Sequence, residues 1–65
     1  MKVKYFEDTD TLYVELSDSH IAQTKELNEN LYVDFDSEGK VVSFTVEHAN
    51  SSSKKLNFSY ETIAA

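Results

Sequence analysis

Asp34, Asp36 and Glu38 stand at alternate positions, and Gly39 follows them. This is how a calcium-binding loop opens: oxygens at alternate positions face the ion, and a glycine makes the sharp bend. The chemistry such spacing supports is coordination of a hard cation. The closing bidentate acid is missing, because the position that should supply it is Thr45, inside a stretch that reads as a β-strand. The three acids are therefore weak metal candidates, and a hairpin turn carrying solvated carboxylates is the simpler account. A metal or small-ligand site built on this hairpin, with help from His48, is the alternative functional reading.

The remaining chemistry-bearing residues are sparse. His20 and His48 are the only imidazoles and have no partner at metal-ligand spacing. The serines gather in polar links, and no Gly-x-Ser-x-Gly elbow presents one as a nucleophile. One glycine cannot build a phosphate cradle. With no cysteine, disulfides and thiolate metal sites are both excluded. The expectation is a protein that is not an enzyme, with no catalytic residues and no cofactor.

Charge points the same way. Twelve acidic residues stand against six lysines, with no arginine, for a formal charge of −6 in 65 residues. Such a field repels a phosphate backbone, so nucleic acid is not an expected partner. It would instead speed encounter with a basic protein. No apolar run is long enough to span a bilayer, and the N-terminal residues do not read as a secretory signal, so a cytoplasmic chain without a membrane partner is expected.

The elements that position these residues follow from two-residue alternation. Val3 and Tyr5 alternate with Lys2 and Lys4 up to the turn-forming Glu7-Asp8-Thr9-Asp10. Leu12, Val14 and Leu16 share one face of the next strand. Ile21 to Leu27 is a more polar strand suited to a sheet edge. Leu31 to Phe35 and Val41 to Glu47 alternate again, joined by a turn in which Gly39 supplies a positive φ. After a polar link from Asn50 to Lys55, residues 56 to 62 fit both a strand and a helix, and a strand is favoured because Phe, Tyr, Thr and Ile suit pleated surfaces. The expected fold is mainly β: a single domain, 1–65, forming a small antiparallel β-meander of five to six strands. A short helical segment near 48–55 or in the tail is the variation allowed.

One face of that sheet would collect Leu12, Val14, Leu16, Leu31, Val33, Phe35, Val42, Phe44 and Val46. Such a face does not stay wet. Either the tail folds over it as a lid or two chains pack face to face, and a homodimer is the expected assembly. Tyr13 and Tyr32 point to the opposite face and are candidate interface anchors.

The block Asp10-Thr11-Leu12-Tyr13-Val14-Glu15-Leu16-Ser17, followed by the hairpin Asp34-Phe35-Asp36-Ser37-Glu38-Gly39-Lys40-Val41-Val42, resembles the DUF2283 family of small, uncharacterised bacterial proteins. The resemblance covers roughly residues 1 to 48. It implies a compact β-rich fold and carries no catalytic residue with it. It also implies a protein-binding role, antitoxin-like, toward a basic partner.

Overall fold

The computed structural model describes residues 1–50 and 57–64. Five strands form: β1 (Lys2–Phe6), β2 (Thr11–Glu15), β3 (Gln23–Asn28), β4 (Leu31–Phe35) and β5 (Val41–Glu47). All pair antiparallel in one sheet, and no helix forms among the described residues. The mainly β expectation is met. The polar strand lies at an edge, as its composition requires, although it begins at Gln23 and runs on to Asn28.

The strand order is β1-β2-β5-β4-β3. A β1-β2 hairpin and a β3-β4-β5 meander are thus zipped together along β2 and β5. The link from Leu16 to Ala22 must cross the ends of β5 and β4 to reach the far edge. It is pinned at both ends: the Leu16 and Ser17 amides donate to the Val42 carbonyl at 2.8 and 3.2 Å, and the Ala22 amide donates to the Phe35 carbonyl at 2.8 Å.

Each turn shows why its residues were needed. Gly39 has φ +82° and its amide donates to the Asp36 carbonyl, closing the β4-β5 hairpin. In the β3-β4 turn the Asn28 side chain accepts from the Asn30 amide at 2.8 Å. Asp10 and His48 take the left-handed region, with φ of +54° and +56°. Their turns meet at one end of the sheet, where the Asp10 carbonyl accepts from the Ala49 amide at 3.0 Å. Asp10 Oδ1 accepts from the Tyr5 hydroxyl at 2.6 Å and from the Asn50 amide at 2.8 Å. One aspartate therefore ties the β1-β2 turn to the end of β5.

Register divides the side chains between two faces. Tyr5, Leu12, Val46 and Leu31 form one row across the apolar face, and Val3, Val14, Phe44, Val33 and Lys25 form the next. The register shifts between Asp34 and Phe35, so Phe35 lies opposite Val41 and Val42 is the extra residue. This bulge brings Val41 to the apolar face, where strict alternation would have set it beside Ser43 and Thr45. The buried apolar side chains are few among the described residues: Val14, Val33, Val42 and Ala49. Among the described residues, every strand packs only against its sheet neighbours, so the five strands form a single layer.

The tail corrects one expectation. Residues 57–64 form neither strand nor helix, and Phe58, Tyr60 and Ile63 are 49%, 70% and 80% exposed. Leu56 and the link 51–55, where a short helix was allowed, lie outside the described residues, while His48–Asn50 form a turn. Alternating side chains make a strand possible, but a strand also needs a partner, and residues 57–64 pair with none of the five strands.

Candidate interaction faces

Opposite the apolar face, a row runs Lys4, Tyr13, Thr45, Tyr32, Glu26 across all five strands. Tyr13 and Tyr32 are half-buried and flank the smaller Thr45 on central β5. The adjacent row runs Lys2, Glu15, Ser43, Asp34, Thr24, and Glu47 lies on the same face opposite Thr11. The two lysines occupy the β1 edge, while Glu15, Glu47, Asp34 and Glu26 spread across the other four strands. This face therefore offers two tyrosines set among carboxylates. The Glu26 charge first, then that of Glu47, raises the Tyr32 hydroxyl pKa above its ordinary value, with partial desolvation and a hydrogen bond to Glu47 acting in the same sense. Tyr5, on the apolar face, is raised chiefly by its hydrogen bond to Asp10.

The three acids of the hairpin take up separate tasks. Asp34 is buried, accepting from the Ser43 hydroxyl at 2.5 Å and the Thr24 hydroxyl at 2.6 Å. Asp36 Oδ1 accepts from the Glu38 and Lys40 amides, both at 2.9 Å, which shapes the turn. Glu38 lies 3.6 Å from the Lys40 ammonium in an exposed pair, worth well under about 1 kcal/mol. No cluster of three or more His, Cys, Asp or Glu side chains able to hold a metal forms among the described residues. His48 lies in the turn after β5 and His20 in the exposed link before β3.

The Ser43–Asp34–Thr24 group was missed by sequence reasoning. Its signal is visible in hindsight as polar residues on the central strands, where a buried acid needs donors on both neighbouring strands. Only the register shows that Ser43 and Thr24 supply them. The group hydrogen-bonds β5, β4 and β3 together through one carboxylate. No pocket opens among the described residues.

These features define a small antiparallel β-sheet with one apolar face and one acidic, tyrosine-bearing face. The chain belongs to DUF2283, a protein family of unknown function, whose profile matches residues 2–50. No curated protein and no solved structure matches it. Among the described residues, no helix is long and apolar enough to cross a membrane.

Proposed function

We propose that this chain is a non-catalytic protein-interaction module that binds a basic partner on the face bearing Tyr13 and Tyr32. The observation that carries this reading is the Tyr13–Thr45–Tyr32 row with Glu15, Glu47 and Glu26 around it. Tyrosines give contact area at small entropic cost. Lysine or arginine side chains are the matching chemistry, because they stack on tyrosine rings and pair with the surrounding carboxylates. The net charge of −6 acts in the same direction by steering a basic protein toward the chain. Antitoxin-like neutralisation of a small basic protein in the cytoplasm is the specific form we favour.

The test uses the full chain, tagged, to capture partners from its source cells, followed by binding measurements on the protein captured. A basic partner is expected, with affinity that falls as salt rises and falls further with Tyr13→Ala combined with Tyr32→Ala. A chain that emerges alone, or a partner indifferent to both salt and the tyrosine pair, overturns the reading.

A further inference from the structure

The β1 edge of the sheet and the tail carry a separate inference. We infer that residues 57–61 of a second copy of this chain add to the outer edge of β1 as a sixth strand, the two copies exchanging tails.

Both halves of this contact lack a partner in one chain. β1 pairs with β2 on one side, and among the described residues no strand lies along its other side. An open edge presents backbone donors and acceptors to an incoming strand. Residues 57–64 pair with none of the five strands and are exposed throughout, yet they carry a strand's two-residue alternation.

The two alternations match. Along β1, Val3 and Tyr5 lie on the apolar face, Lys2 and Lys4 on the tyrosine face. In the tail, Phe58 and Tyr60 fall on one side, Ser59 and Glu61 on the other. An antiparallel register with Tyr5 opposite Phe58 and Val3 opposite Tyr60 sets Lys4 against Ser59 and Lys2 against Glu61. It joins an aromatic pair, an aromatic and β-branched pair and an ion pair, the cross-strand combinations that stabilise a sheet. It also covers Val3, which is 39% exposed in the single chain. The other edge fails the same comparison. On β3 the aromatic side of the tail would meet Gln23 and Lys25, and Glu61 would share a face with Glu26. The register shift between Glu26 and Asn28 also interrupts that edge.

Charge and symmetry name the second copy as the source of the tail. β1 holds two lysines and no carboxylate, so it is a place where one chain of charge −6 can receive another. The single chain does not form this pairing with its own tail. Each copy offers one β1 edge and one tail, so exchange about a two-fold axis satisfies both and closes the assembly at two.

Sedimentation equilibrium of the full chain across the micromolar range is the first test. The expected species is two copies of the 7.4-kDa chain; a single copy at every concentration overturns the inference. Charge reversal then tests the register. Lys2 and Glu61 are exposed in the single chain, so Lys2→Glu and Glu61→Lys should leave its circular dichroism unchanged. Each alone should weaken the dimer about tenfold, because it acts at both exchanged tails, and the double variant should restore it. Single variants without effect, or a double variant as weak as either one, overturn the assignment. A measurement free of variants locates the tail. In a dimer mixed from labelled and unlabelled chains, intermolecular nuclear Overhauser contacts should join the Tyr60 ring to the Val3 methyls. The same contacts within one chain, or none between chains, would sink the exchange. Neither Lys2 nor Glu61 belongs to the Tyr13–Thr45–Tyr32 row, so failure here leaves the reading of the tyrosine face standing.

Discussion

Ser43 on β5 and Asp34 on β4 lie directly opposite one another, and the fully buried serine hydroxyl donates to the aspartate at 2.5 Å. With Thr24 donating from β3 to the other oxygen, one carboxylate spans three strands of a single-layer sheet. Losing a donor to a buried carboxylate costs about 1–3 kcal/mol. Ser43→Ala should therefore lower the urea midpoint by a clearly measurable amount. Combining it with Asp34→Val should cost less than the sum of the two single changes, because the pair is one unit. Strict additivity would show that the contact adds nothing.

The clasp at the other end of the sheet makes a graded prediction. Tyr5→Phe removes one hydrogen bond to Asp10, about 0.5–1.5 kcal/mol. Asp10→Ala removes that bond and the one to the Asn50 amide, and it sets alanine at φ +54°, where side chains other than glycine and asparagine are strained. Its thermal midpoint should fall further than that of Tyr5→Phe. Asp10→Asn keeps an acceptor and tolerates the backbone, so it should lie between wild type and Asp10→Ala.

Gly39 isolates backbone strain from packing. A methyl group there meets nothing within 4 Å, so the cost of Gly39→Ala comes from φ +82° alone. About 1–2 kcal/mol is expected. Gly39→Asn should recover most of it, with denaturant midpoints as the readout. Equal losses for both would mean that something besides φ decides this turn.

Alkaline pH should weaken the fold through two of its tyrosines. Tyr5 and Tyr32 both have folded pKa values above the ordinary 10.0. A raised folded value means the native state holds its proton longer than the unfolded chain does. The associated stability is whole below pH 10 and is lost as pH climbs through the higher folded values. Phenolate absorbance should therefore rise late for these two rings. Tyr32→Phe should flatten the loss of stability above pH 10, and a wild-type chain whose stability is level across that range would contradict the assignment.

Much of the sheet was legible because its signals are local. Leu12 and Val14, Leu31 and Val33, and Phe44 and Val46 alternate with polar neighbours, and each pair lies where alternation sets it. Gly39 announced its turn by chemistry that operates within a few residues. Tyr13 and Tyr32 were legible as residues of the second face, since each follows from its own strand. The tail misled for the same reason: Phe58 and Tyr60 carry a strand's spacing, but spacing does not supply a strand to pair with.

What the amino-acid order determined by itself was therefore the set of strands, the turns and the apolar character of one face, all consequences of steric alternation and local hydrogen bonding. Tertiary structure decided three other things. It placed β5 beside β2, it inserted Val42 as an extra residue and so moved Val41 to the apolar side, and it gathered Ser43, Asp34 and Thr24 around one carboxylate. Each depends on which distant segments pair and in what register. That choice is made by competition among long-range contacts, and no single stretch of sequence contains it.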